Sequence, residues 1–505
     1  MTDLRTTPGR AIRACVVLVA LVIQLVCVSA HAEWYQESAS GAIETIRAAV
    51  PNAELIAVLD DGAGQRHSAQ GRAVTGLFVD FGLAQNKGEF AQAWSQLAGM
   101  FGLDNARAFD ELFGKRMLLV AQGASPVGLG DWAIATVVPT PLALDVLKKL
   151  GAKGRDIVSG QTVYAIEGGA YRFSLLKPRQ ADKGDAYRLI VFCPRDSDEL
   201  LRHLIRGLVT PTGWDRVVGL GKFTKPSITG VLINERAEVA RLETALTDAG
   251  WKGLARFELP NFEMRSSGWS GQEFARLSEN AWLSMADEVD LAQVADSPIA
   301  AILPIDGDRL RQLAPHCTGR VYLRVLPEGE QSAALSICLE MDGTPEAGAL
   351  ADKAVRDIAG LLTASPDAVP DYRGFMPNAV RTAPIRGDFS RDVLKPMIGP
   401  TPTLAWRTAT KGNTSWWTTR IAPGGSPHTE SLDLLYEHLP AGDTGGSIVS
   451  LGKLNPGPIV GMMERGAGAV NSIEPTARRI EAVEWSSHQS GTQLEVLFNV
   501  RMAGE

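Results

Sequence analysis

The chain has 505 residues, 45% of them apolar and 21% charged, with 50 Lys and Arg against 57 Asp and Glu and a net charge of −7. That length exceeds what one compact core accommodates, so two or three domains are expected, and the composition excludes a disordered chain. A mildly acidic chain without a basic tract is a poor partner for nucleic acid and for anionic membranes.

Residues 1–32 read as an export signal. Arg5, Arg10 and Arg13 give a basic start, an uncharged run follows from Cys15 to Val28, and Ala30-His31-Ala32 offers a small-x-small cleavage site before Glu33. The run is about 14 residues, short of the roughly 20 that a spanning helix needs. A cleaved signal therefore fits better than an anchor. A lipoprotein needs a small residue before Cys27, and Val26 stands there. No second run of spanning length follows, so no transmembrane segment is expected after cleavage, and the periplasm or the extracellular space is the expected location. Three cysteines remain beyond the leader: Cys193, Cys317 and Cys338. An odd, sparse set is no disulfide framework. Cys317 and Cys338 have a spacing that permits pairing, but Cys193 and Cys338 lie in apolar strand patterns, which favours buried free thiols.

Helical spacing of Ala42, Ile43, Ile46 and Ala49 predicts a helix over 33–50, stopped by Pro51. A strand is expected at 55–59, a polar Gly-rich loop at 60–73 and a helix at 89–101. Strands at 117–121 and 132–138 precede a helix that Pro141 opens and Gly151 closes. Strands at 161–166, 171–176 and 187–192 come next, the first two joined by a tight turn at Gly168-Gly169. A helix begins at Asp196. Residues 210–228, rich in Gly, Pro and Thr, suggest a boundary.

Beyond it the pattern predicts a strand at 228–233, a helix from Glu235 to about Ala249, strands at 254–259 and 262–266, mixed character to 295, and a strand at 299–303. A short helix starts after Asp306 and Asp308. A hairpin of 321–326 and 333–340 leads to a long helix over 345–362. Residues 364–402, with seven prolines, read as loop. A hairpin of 404–408 and 415–421, a helix at 432–438, apolar pieces at 448–451 and 458–463, a helix at 477–482, and strands at 483–487 and 493–501 complete the chain. The fold class expected is α+β, with mostly antiparallel sheets and packed helices. Its segments are an N-terminal lobe at 33–215, a connecting α+β segment at 216–295 and a C-terminal lobe at 296–505. A short apolar strand, a helix, a hairpin and a longer helix follow one another near Leu55 and again near Ile299, which hints at an internal repeat.

Three phrases carry a resemblance. They are Phe109 to Arg116 followed by apolar Met117 to Ala121, then Gly160-Gln161-Thr162-Val163-Tyr164, then Gly452 to Gly457 leading into Ile459 to Met463. In outline the mature chain resembles secreted bacterial envelope proteins of the planctomycete type. That group brings no activity and no functional residue with it.

Chemistry is sparse. No Gly-x-Ser-x-Gly elbow occurs. Gly123 to Gly128 has the wrong spacing, with Pro126 obstructing the turn. Ser174-Leu175-Leu176-Lys177 matches Ser-x-x-Lys, but in a strand its two functional residues face opposite ways. His67, His203, His316, His428, His438 and His488 are scattered, and nothing completes a set of ligands around His316-Cys317. Asp60-Asp61-Gly62 and Asp306-Gly307-Asp308 suit caps and turns better than calcium. Trp416 and Trp417 fall on opposite faces of a strand, one toward the core and one toward the surface, where a sugar could stack. Phosphate-cradling glycine loops are missing. Asn413-Thr414-Ser415 is a glycosylation sequon only in a eukaryotic secretory host. No cofactor, no metal and no assignable catalytic residue are expected. A non-enzymatic envelope protein that binds or scaffolds another envelope protein is the leading expectation. A carrier of an apolar ligand and a secreted hydrolase with a dispersed carboxylate pair are the alternatives.

Overall fold

A computed structural model describes residues 37–68, 98–99, 102–123, 130–149, 153–165, 171–177, 186–218, 227–234, 237–247, 250–258, 269–296, 307–328, 332–362, 381–384, 402–411, 414–423, 448–467 and 477–503. Residues 1–32, read above as an export signal, lie outside them. The chain divides into two compact units, residues 30–259 and residues 260–505. Each contains antiparallel strands with packed helices, in keeping with the α+β class.

In the first unit α1 (Glu37–Ala49) leads to β1 (Leu55–Asp60), α2 (Gly62–His67), α3 (Asn105–Phe113), β2 (Arg116–Gln122), β3 (Asp131–Pro139) and α4 (Thr140–Lys149). Four strands follow: β4 (Lys153–Val158), β5 (Gln161–Ala165), β6 (Tyr171–Leu176) and β7 (Tyr187–Pro194). Then come α5 (Asp198–Leu208), α6 (Pro211–Val218), β8 (Ser227–Asn234), β9 (Ala237–Thr247) and β10 (Gly250–Glu258). The strand order is β10-β9-β8-β1-β2-β3-β7-β6-β5-β4, with every neighbour antiparallel. Helices α1, α5 and α6 cover one face, where Ile43, Ile46, Leu201, Ile205 and Trp214 meet Ile56, Val58, Leu118 and Val120. Gly207 permits that close packing, because a Cβ there would fall on the methyl of Ala49. Helices α3 and α4 cover part of the opposite face, where Leu112, Phe113 and Val146 meet Phe173, Ile190 and Phe192.

The second unit begins with α7 (Gly271–Leu277), β11 (Leu283–Glu288), α8 (Leu291–Asp296), α9 (Gly307–Leu313), β12 (Cys317–Pro327), β13 (Ala333–Asp342) and α10 (Pro345–Leu362). It continues with β14 (Arg381–Pro384), β15 (Pro402–Lys411), β16 (Thr414–Pro423), β17 (Ile448–Leu454), α11 (Pro456–Ala467), β18 (Ile480–Ser490) and β19 (Gln493–Met502). The order here is β19-β18-β17-β11-β12-β13-β16-β15-β14, again antiparallel throughout. A capping box between Ser270 and Glu273 starts α7, whose Phe274 and Leu277 join Trp269, Tyr322, Cys338 and Trp416 on one face. On the other, Ala347, Ala351 and Ala354 of α10 pack on Leu339 and Met341.

Several expectations need correction. Residues 237–247 form strand β9, not a helix. Glu, Ala, Leu and Arg favour a helix locally, but β9 is hydrogen-bonded by β8 on one side and β10 on the other. Gly250, at φ 140°, continues into β10 rather than capping a helix. Residues 480–482 likewise start strand β18, paired with β19. The loop expected at 60–73 contains α2, whose N-terminus Asp61 caps by accepting from the Gly64 amide at 3.1 Å. The presumed boundary at 210–228 contains α6, with Trp214 and Val217 in the first core. Of the segment 216–295, β8 to β10 belong to the first sheet and β11 to the second. Helix α3 and strands β4 and β11 carried no recognised pattern, and β14 lies within the proline-rich stretch read as loop. The pieces expected at 89–97, 168–169, 262–266, 299–303 and 432–438 lie outside the described residues.

Candidate functional site

One ion pair anchors the first unit. Asp60, the last residue of β1, is the register partner of Arg116, the first of β2. Arg116 Nε donates to Asp60 Oδ1 at 2.5 Å, and both side chains are sealed from solvent. Arg116 Nη1 also donates to the carbonyls of Arg216 and Val217, at 3.1 and 2.7 Å, tying β2 to α6. Burial pushes the Asp60 carboxyl above its usual range, against the pull of the guanidinium. This pair does structural work.

The same register recurs in the second unit, where Glu288, the last residue of β11, is the partner of Arg320 in β12. Arg320 Nη1 lies 3.4 Å from Glu340 Oε2, and its guanidinium stacks 5.0 Å from the Trp269 ring and 6.0 Å from Trp416.

Four residues further along the strands the two units part. In the first, the row across the sheet is Val231, Ile56, Val120 and Ala133, with Cys193 one residue beyond the last β3–β7 pair. All five are buried in one apolar core. In the second, the corresponding row is Lys453, Ser284, Arg324, Ser336 and Arg420. Laterally paired residues share a face, so long cations alternate with short hydroxyls over five strands, each cation about 9–10 Å from the next. Arg324 is 7% exposed and Arg420 is fully buried.

Few partners answer these charges. Among the described residues no carboxylate pairs with Arg324, and its Nε is sealed without a hydrogen-bond partner. Arg420 Nη2 donates to Glu328 Oε1, from the turn after β12, while its Nε and Nη1 are sealed and unsatisfied. The Ser336 hydroxyl is buried and unsatisfied too. Tyr322 Oη donates its proton to the Leu277 carbonyl at 2.6 Å and lies 3.2 Å from the Ser284 hydroxyl, which can donate to it in turn. Burial pulls the Arg420 guanidinium down to about 10, with Arg324 adding repulsion, and burial lowers Arg324 as well. Charges are not buried unpaired without cost, so this row is the strongest candidate for a site.

Residues singled out from the sequence lie elsewhere. Cys193, Cys317 and Cys338 are free thiols, each pushed up to about 12 by burial. Ser174 donates to the Thr162 carbonyl within the sheet. His67 meets Asp110 at 2.7 Å, His316 meets Asp342 at 2.9 Å, and His203 lies 3.6 Å from Glu199. His428 and His438 lie outside the described residues, as do Ser125 and Asp306. No three of His, Cys, Asp or Glu gather as metal ligands among the described residues. Asp308 pairs with Arg311. Trp416 and Trp417 do face opposite ways, but Trp417 packs against the α10 side rather than standing on the surface. Among the described residues no helix is long and apolar enough to cross a membrane. Arg324 and Arg420 escaped notice because a buried arginine on a strand looks, in sequence, like any outward-facing one. The available signal was the register: apolar alternation in β12 and β16 broken by a cation on the inward phase.

Comparison with known protein families, curated proteins and solved structures returned no match.

Proposed function

We propose that this chain is an exported, non-enzymatic binding protein made of two copies of one α+β unit, the first a closed structural unit and the second the ligand-binding one. The observation that carries this reading is the row Lys453, Ser284, Arg324, Ser336 and Arg420, which stands where the first unit has an unbroken apolar core. A similar strand order is built in the first unit without those cations, which supports attributing their retention to a ligand.

Common origin of the units by internal duplication rests on two features. In both, the first strand is central, the second and third lie on one side, the third leads into a helix, and the following meander returns to pair its last strand with the third. An acid closing the first strand faces an arginine of the second in each. On this alignment β11 is the counterpart of β1, in place of the apolar run at 299–303. The buried cations Arg324 and Arg420 suit a polar ligand rather than the apolar cargo of a carrier. Export to the periplasm or beyond rests on the leader at residues 1–32.

Native mass spectrometry of protein purified from its own cell envelope tests the reading. The expected result is a mass beginning at Glu33 with a releasable polar adduct. A chain that stays bare when exposed to envelope extract overturns ligand binding, and a mass that retains the leader overturns cleavage.

A further inference from the structure

Resting on the reading of the second unit as the ligand-binding one, we infer that Arg324, Ser336 and Arg420 form an oxyanion clamp, and that the ligand presents a carboxylate or phosphate group to it. Ser336 is the register partner of both arginines, Arg324 in β12 and Arg420 in β16. In register, the short Ser336 side chain stands between two long cations, so less side-chain volume is supplied at the middle of the row than at its ends. All three residues are more than nine-tenths buried. Arg324 has no carboxylate among the described residues, Arg420 keeps two nitrogens unsatisfied, and the Ser336 hydroxyl has a free donor. The two guanidinium groups are close enough for Arg324 to depress the proton affinity of Arg420. An anion between them removes that repulsion and satisfies the donors together. Guanidinium groups are matched in shape to carboxylate and phosphate oxygens, which they bind through paired N–H donors.

Glu328 identifies the chemistry. Its carboxylate already bonds Arg420 from the turn after β12, and only from one side. It is an internal sample of the group the clamp accepts, and it competes with the incoming ligand for Arg420 while leaving Arg324 open. A neutral or cationic ligand would leave the repulsion between the two guanidinium groups unscreened.

Calorimetric titration of the full chain with inorganic phosphate, and separately with succinate, at constant ionic strength made up with sodium chloride, tests the clamp. At least one anion should bind saturably. R324M should weaken binding about tenfold or more, since a buried charge-assisted contact is lost. S336A should weaken it severalfold. E328Q, by freeing Arg420, should tighten it. Binding of phosphate alone assigns a phosphate-bearing ligand, and of succinate alone a carboxylate. R324M places an apolar side chain where the first unit has Val120, so it is expected to fold. Equal binding by the wild type and R324M overturns the clamp, as does no saturable binding of either anion by the wild type or E328Q. An envelope-derived adduct that R324M retains overturns the clamp and leaves the binding reading standing. A wild type that takes neither anion and carries no adduct overturns both.

Discussion

Two buried arginines in this protein have opposite energetic standing. Arg116 has a carboxylate and two carbonyls, so removing it strands Asp60 in the core. Arg116→Met is expected to cost about 3–5 kcal/mol. Arg324 has no such partner, and Arg324→Met should leave stability unchanged or raise it by about 1–3 kcal/mol. Urea unfolding of the two variants side by side measures both, and a loss at Arg324 as large as at Arg116 would reveal a structural role. Asp287 offers a pH-dependent case. Burial raises its carboxyl from 3.8 to about 6, against hydrogen bonds from the Glu288 amide and the Ser450 side chain. A carboxyl raised in the folded state binds its proton more tightly there than in the unfolded chain. Its favourable contribution is complete in acid and is lost as pH climbs from about 4 to about 6. Asp287→Asn should therefore stabilise by about 1–3 kcal/mol at pH 7 and by little at pH 4. Thermal melts at the two values decide the matter, and equal effects at both would contradict the assigned cause.

At the scale of elements, legibility followed the locality of the stabilising forces. Helix α10 was predicted over 345–362 and occupies those residues, because its cap signals and small apolar stripe sit within one turn of each other. The alternation of Val496, Phe498 and Val500 in β19 was equally plain, and all three are buried. Strand β9 was misread because its conformation is set by two neighbouring strands rather than by its own residues. Gly452 illustrates a constraint invisible in sequence. It is the register partner of Trp485 across β17 and β18, and a Cβ there would fall inside the indole ring. Gly452→Ala is expected to cost about 1–3 kcal/mol through forced repacking, seen as a lower denaturation midpoint with unchanged slope. A neutral outcome would mean the indole turns away freely.

For the molecule as a whole, the internal comparison between units separates architecture from function. What the units share, a central first strand and an acid–arginine register, belongs to folding. Where they differ, apolar row against cationic row, lies the candidate site. Hydrogen exchange reads this directly. With saturating phosphate or succinate, amide protection should rise in β12, β13 and β16 and stay unchanged in β1 to β3. Protection gained instead in the first unit would place the anion elsewhere.

The sequence by itself determined the α+β class, the helices α1, α4, α5, α9 and α10 and several hairpins, since each depends on residues close together along the chain. It also showed the lack of familiar catalytic motifs. Only the tertiary structure decided which strands are neighbours, and with that which face each side chain takes. Ser284, Arg324, Ser336 and Arg420 span some 136 positions of sequence and read separately as ordinary surface residues. Antiparallel register brings them into one row, because lateral pairing places residues from distant strands about 5 Å apart on the same face.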